Sequence, residues 1–151
     1  LLAGVDPARL VLEVTESQLM DDTEQTFAKL ERLRLTGVRV AIDDFGTGWS
    51  SLSYLLRLPV DKLKVDRSFV EAMGPGRPEA AVVQAIVTMG HELGLEIVAE
   101  GIETDPQREA LLAAGCDLGQ GYLLGRPAPA ADVEPLLAAA SFRPHADEQV
   151  G

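Results

Sequence analysis

The sequence predicts an α/β fold built on a parallel sheet. Three features lead there. Short apolar runs rich in Val, Ile and Leu recur about five times, each is followed by a stretch with helical periodicity, and Gly marks several helix-to-strand junctions. A helix between successive strands is what a crossover between parallel neighbours requires. Polar residues collect at the carboxyl end of each strand, where ligands bind in such sheets.

Residues 9–14 (R-L-V-L-E-V) are expected as the first strand, and residues 16–22 read as a short polar turn. A helix over about 23–35 turns Phe27, Leu30 and Leu33 inward and ends with Gly37 at C′. Val38, Val40 and Ile42 lead a buried strand up to Asp43. Gly46-Thr47-Gly48 permits a sharp turn. A short helix around 52–58 stops at Pro59, with Ser50 and Ser51 as its starting residues. Those serines lack a G-x-S-x-G setting and a nearby His, so they do not read as nucleophiles.

Residues 60–65 alternate and form the next strand, while 66–69 lead into a loop at Gly74-Pro75-Gly76-Arg77-Pro78. The helix over about 79–93 places Val83, Ile86, Val87, Gly90 and Leu93 on one face before Gly94. The strand at 95–99 ends at Glu100. Thr104-Asp105-Pro106-Gln107 is a capping-box signature for a helix running to Gly115. A short apolar segment at 116–118 gives way to Gly119-Gln120-Gly121-Tyr122. A last helix at 131–139 contains Pro135, tolerable only in its first turn. Residues 1–139 are thus expected to be structured, and 140–151 to form a polar tail.

A chain of 151 residues, 46% hydrophobic and 25% charged, suits one soluble domain with a sizeable core. The formal net charge of −11 excludes non-specific binding to nucleic acid or to an acidic membrane. An anionic ligand therefore needs local cations. No apolar run reaches transmembrane length and no signal-peptide pattern is present, so no membrane contact by this segment is expected. The expected location is the cytoplasm, including the cytoplasmic part of a membrane-anchored protein. Cys116 is the single cysteine, which rules out an intrachain disulfide and a Cys-based zinc cage. His91 and His145 read as structural or solvated.

The chemistry centres on Asp43 and Asp44. Two adjacent carboxylates at a strand end repel each other and resist desolvation, and a hard divalent cation would relieve both costs. Taken alone, the pair reads as a solvated turn with Asp44 capping the next helix. Recurrence changes the reading: Glu13, Asp43 with Asp44, Lys64, Glu100 and Gln120 stand at the ends of successive strands. A solvated rim would be polar too, but it would seldom set a carboxylate or cation at every strand terminus.

In order and context, five stretches resemble the EAL-domain family of cyclic di-GMP phosphodiesterases. They are Leu12-Glu13-Val14-Thr15-Glu16-Ser17, Ile42-Asp43-Asp44-Phe45-Gly46-Thr47-Gly48, Lys64-Val65-Asp66-Arg67-Ser68-Phe69, Val98-Ala99-Glu100-Gly101-Ile102-Glu103 and Gln120-Gly121-Tyr122-Leu123. The resemblance implies a partial TIM-like (βα) barrel, its C-terminal five or so units; a whole barrel takes roughly 250 residues. It implies that the family's naming Glu, the Arg after it and an Asn ligand lie outside this chain. Glu109-Ala110-Leu111 spells the naming tripeptide but falls inside a capped helix, with no Arg at the expected spacing.

By the same resemblance, Glu13, Asp43, Asp44 and Glu100 are metal ligands for two divalent ions, Mg²⁺ or Mn²⁺. Lys64, Glu103 and Gln120 are catalytic or ligand-orienting. Asp66 supports Lys64, and Glu16 with Thr47 anchors the loop over 46–51. The implied reaction is metal-dependent hydrolysis of cyclic di-GMP to linear pGpG by the intact domain, with the fragment alone inactive. Implied partners are a second copy of the intact domain and an upstream sensory or GGDEF domain. Leu124 stands where the family commonly has Phe, and Gly125-Arg126-Pro127 where it often has a longer aromatic run. Two other folds or roles compete with this reading. A receiver domain would carry its acid pair on the first strand and its Lys on the last, an order this chain does not have. A degenerate EAL domain would bind cyclic di-GMP or a protein without hydrolysis.

Overall fold

The structure is a computed structural model that describes residues 4–20, 23–46, 48, 52–74 and 77–138. Five strands, β1 (Val11–Thr15), β2 (Arg39–Phe45), β3 (Lys62–Val65), β4 (Glu96–Ala99) and β5 (Leu118–Gly119), form one sheet in chain order. Each neighbouring pair is parallel. Between and around them lie α1 (Glu16–Met20), α2 (Thr23–Arg34), α3 (Leu52–Leu55), α4 (Arg67–Ala72), α5 (Pro78–Glu92), α6 (Asp105–Ala114) and α7 (Ala130–Ala138). No described helix is long and apolar enough to cross a membrane.

The sheet is two-sided. Val40, Ile42, Leu63, Val65, Ile97 and Ala99 are essentially fully buried and share a core with Leu30 of α2, Val83 and Val87 of α5, and Leu111 of α6. Burial of that apolar face supplies the main driving force for docking helices on strands. The helix stops act where the sequence places them. Gly37, Gly94 and Gly115 have φ of +91°, +72° and +86°. Thr104 and Gln107 form a complete capping box at the start of α6.

Five details depart from the sequence expectation. β1 begins at Val11, because Asp6 accepts the Ala8 N–H and Pro7 starts a 3₁₀ turn over Pro7–Arg9. Residues 16–20 are a helix instead of a polar turn. Thr15 Oγ1 accepts from the Gln18 N–H at 3.4 Å and Gln18 Oε1 from the Thr15 N–H at 3.3 Å, a reciprocal cap. β2 continues past Asp43 to Phe45 through a register shift between Ile42 and Phe45. Residues 67–72 are helical because Asp66 accepts the Ser68 N–H as N-cap. Pro135 lies beyond the first turn of α7, where its missing N–H leaves the Ala131 carbonyl without a helical donor. Both Ala131 and Pro135 are exposed, so the freed carbonyl has access to water. Thr47, Ser50, Ser51, His145 and the tail at 140–151 lie outside the described residues.

Candidate active site

Register decides which side chains meet. Glu13 pairs with Ala41, Ala41 with Lys62, and Lys62 with Glu96. Side chains alternate faces along a strand, so Asp43, Lys64 and Glu100 all project on the face that bears Glu13. That face is not the one packed on the helices. Four residues distant in sequence thereby converge at the carboxyl end of the sheet.

Lys64 is the centre of the convergence. It is 5% exposed, and its Nζ lies 2.8 Å from Glu13 Oε2, 2.8 Å from Asp43 Oδ1 and 2.6 Å from Glu100 Oε1. Burial alone would lower the lysine pKa, but the hydrogen bonds it donates to Asp43, Glu100 and Glu13 outweigh that and raise the value above that of a free lysine. The side chain is held as an ammonium. Glu100 is shifted up mainly by burial, partly offset by Lys64. Asp44 is also shifted up, by burial and then by its neighbours Asp43 and Asp66, with Lys64 opposing.

Asp43, Asp44 and Glu100 can each present a carboxylate oxygen within 4.8 Å of the others. Three such oxygens are a donor set suited to a hard divalent cation. Asp44 holds a left-handed backbone conformation, φ +55°, rare for a residue with a side chain. Its N–H bonds the Asp43 carboxylate at 3.1 Å, which fixes the two acids relative to each other. Gly46 follows at φ +98°, with the Phe69 ring 2.8 Å from where its Cβ would sit, so only Gly fits.

Around this cage the remaining candidates separate. Gln120 donates from Nε2 to Glu100 Oε1 at 2.7 Å. Glu16 is buried and accepts the Gly46 N–H at 2.9 Å, and its other oxygen lies 2.6 Å from where a Cβ on Gly48 would be. Thr47, between those glycines, lies outside the described residues. Asp66 caps α4 through Ser68 and also hydrogen-bonds the Ser68 hydroxyl. Glu103 meets Arg67 at 2.9 Å and not Lys64. A cavity of about 630 Å³ adjoins the cage and is lined by Arg67, Glu100, Glu103, Gln120, Tyr122 and Arg126, among others. The Arg126 guanidinium stacks 4.3 Å over the Tyr122 ring. A second cavity, about 650 Å³, lies by the amino ends of β2, β3 and β4 with Arg34, Arg39, Asp61 and Lys62 on its wall, away from the acidic cage.

The family model that matches the chain is that of the EAL domain, over residues 1–127. The chain belongs to the EAL-domain family. It is 51% identical over 127 residues to the bifunctional diguanylate cyclase/cyclic di-GMP phosphodiesterase MucR of Pseudomonas aeruginosa, covering 84% of this chain and 18% of MucR. It is 50% identical over 140 residues to the cyclic di-GMP phosphodiesterase NbdA of the same organism, covering 93% of this chain and 18% of NbdA. The chain thus spans under a fifth of the length of either relative. Among solved structures, it superposes on the MucR phosphodiesterase in complex with cyclic di-GMP at a TM-score of 0.82 and 50% identity, over 85% of this chain and 52% of that one. It superposes on Klebsiella pneumoniae BlrP1, solved with manganese and with calcium alongside cyclic di-GMP, at a TM-score of 0.78 and 39% identity. There the overlap is 83% of this chain and 32% of BlrP1.

The five βα units of this EAL chain are accordingly a portion of a TIM-like barrel. Glu109-Ala110-Leu111 lies within α6, as its context required. The sequence reading assigns no role to two participants in this cavity, Arg67 and the Arg126–Tyr122 stack. For Arg67 a signal did exist. Asp66-Arg67-Ser68 is a cap followed by a first helical turn, which places Arg67 at a helix start facing the site.

Proposed function

We propose that the protein containing this chain hydrolyses cyclic di-GMP to linear pGpG in a divalent-metal-dependent reaction of bacterial second-messenger signalling. The observation that carries the reading is the convergence of Glu13, Asp43 and Glu100 on Lys64 beside Asp44. Family membership and the printed activities of MucR and NbdA support it.

The donor set fits hard cations, since every candidate ligand is a carboxylate oxygen. In this reading Glu13, Asp43, Asp44 and Glu100 hold two ions, Mg²⁺ or Mn²⁺; BlrP1 with manganese is a precedent for the metal class. When bound, such ions neutralise phosphate charge and make a water more acidic. The chain's own residues do the rest. Lys64, kept protonated by its three carboxylates, offers a fixed positive charge to the phosphoryl oxygens as negative charge builds there. Because it stays an ammonium, it does not act as the base. Gln120 holds Glu100 with its amide N–H and leaves its carbonyl oxygen to accept from a water. Glu103 presents a further carboxylate to the same cavity, while Glu16 pins the Gly46 turn and Asp66 holds the start of α4. The reading includes a homodimer of the intact domain and a sensory or diguanylate cyclase module elsewhere in the protein, in line with the bifunctional MucR.

The test is Asp43→Asn in the full-length protein. Conversion of cyclic di-GMP to pGpG in Mn²⁺ should fall by at least about 100-fold, with unchanged circular dichroism. Near wild-type turnover would remove Asp43, and with it the metal reading, from the reaction.

A further inference from the structure

Arg67 opens α4 directly after its cap, Asp66, and leans onto the segment that leaves β4. Its side-chain carbons fill the space that a Cβ on residue 101 would need, and Gly101 also has φ +70°. Residue 101 is thus held to glycine twice, once by backbone conformation and once by the arginine stem. Beyond the stem, Nη2 lies 2.9 Å from Glu103 Oε1, and Nε meets Glu71 one turn along α4.

The segment under this side chain, residues 100–103, carries two carboxylates that face the cavity. Its backbone is tied on both sides: the Glu100 N–H reaches the Val65 carbonyl at 3.2 Å and the Ile102 N–H the Gln120 carbonyl at 3.1 Å. Glu103 receives nothing from Lys64. Its N–H goes to Gln107 and its carboxylate to Arg67. The guanidinium is half exposed, and an exposed ion pair by itself adds little. What distinguishes this arginine is the combination. An apolar stem is laid over a bare glycine backbone, and a planar fork is shared by two carboxylates on either side.

We propose that Arg67 is a positioning residue: it fixes residues 100–103, so that Glu100 stays in the Lys64 cage and Glu103 faces the cavity. A mobile Gly101 would let both carboxylates drift, and a misplacement near 1 Å is costly in a preorganised site. Arg67 touches no reacting atom in this account; it acts through the two glutamates. The inference deepens the function proposed above and rests on it for the kinetic arm of its test only.

The test compares wild type, Arg67→Ala, Arg67→Lys, Glu103→Gln and the double variant Arg67→Ala with Glu103→Gln, all in the full-length protein. Amide hydrogen exchange at Glu100 and Ile102, both hydrogen-bonded in the structure, should speed up about tenfold in Arg67→Ala and recover in part in Arg67→Lys, which retains stem and charge. With cyclic di-GMP, Arg67→Ala should lower kcat about tenfold with little change in KM. The double variant should lose less than the two single losses combined, because Arg67 acts in part through Glu103, and the residual loss beyond Glu103→Gln reports its action through Glu100. Unchanged exchange in Arg67→Ala overturns the proposal, and so do fully additive rate losses. If the wild type hydrolyses no cyclic di-GMP, the functional reading fails, and the exchange comparison alone then decides the positioning role.

Discussion

Gln120 donates from Nε2 to Glu100 Oε1 across 2.7 Å, and the same oxygen lies 2.6 Å from the Lys64 ammonium. Two donors on one oxygen fix the glutamate rotamer and leave Oε2, which has no donor among the described residues, available to another partner. Gln120→Leu should therefore lower kcat by about 10- to 100-fold, the worth of one hydrogen bond to a charged group. Because Gln120 is exposed, the melting temperature should move little. Steady-state rates beside a thermal melt check this, and a wild-type rate would detach Gln120 from the reaction.

Lys64 has a structural share that its sequence position did not disclose. In the structure its ammonium separates three carboxylates and is 5% exposed. Lys64→Met should cost about 3–5 kcal/mol of metal-free stability, as for breaking a buried ion pair. Added Mn²⁺ should restore part of that, while kcat stays down at least about 100-fold. Chemical denaturation with and without Mn²⁺ separates the two effects. Equal metal-free stability for variant and wild type would deny the ammonium its charge-balancing role.

Acid should weaken cation binding. Burial raises Glu100 above its ordinary 4.5, and burial with Asp43 and Asp66 raises Asp44 above 3.8, so protons compete for both from higher pH than for free carboxylates. The folded state binds these protons more tightly than the unfolded chain. Their contribution to stability is thus greatest in acid and is lost as pH rises through the folded values. Lys64 is also raised, so its stabilisation persists through neutral pH and is lost only above the ordinary 10.5. Mn²⁺ titrations should show affinity falling on acidification, and alkaline denaturation should be displaced in Lys64→Met. An affinity flat across acidic pH would mean that neither Glu100 nor Asp44 holds the ion.

Among the described residues the sheet has two open edges. β1 hydrogen-bonds to β2 and β5 to β4, each on one side, and Leu10, Val11, Leu12 and Leu118 are 42–44% exposed. Unpaired backbone beside apolar side chains favours association between sheets. Expressed by themselves, the 151 residues should elute as oligomers or aggregates and turn over cyclic di-GMP negligibly in Mn²⁺. Light scattering after size exclusion, with a pGpG assay, checks both; a stable, active monomer would contradict the expectation.

The amino-acid sequence by itself determined the local elements and their order. Five apolar strand runs, the glycines at 37, 94 and 115, and the Thr104–Gln107 box each act within a turn or two of the chain. It also determined which residue types stand at the strand ends, since alternation fixes the face of each side chain once the strand is placed. α1 and α4 escaped because five or six residues are too few to show a period and, unlike the α3 stretch before Pro59, neither runs directly into a proline stop; their caps at Thr15 and Asp66 were the readable trace. Only the tertiary structure decided the contacts. Glu13, Asp43, Lys64 and Glu100 meet because three parallel registers align them, whereas Glu103, three residues from Glu100, turns instead to Arg67. Strand pairing and the turn after β4 set those distances, and both depend on how whole helices pack on the opposite face of the sheet. That packing is a cooperative property of residues far apart in the chain, and no local pattern encodes it.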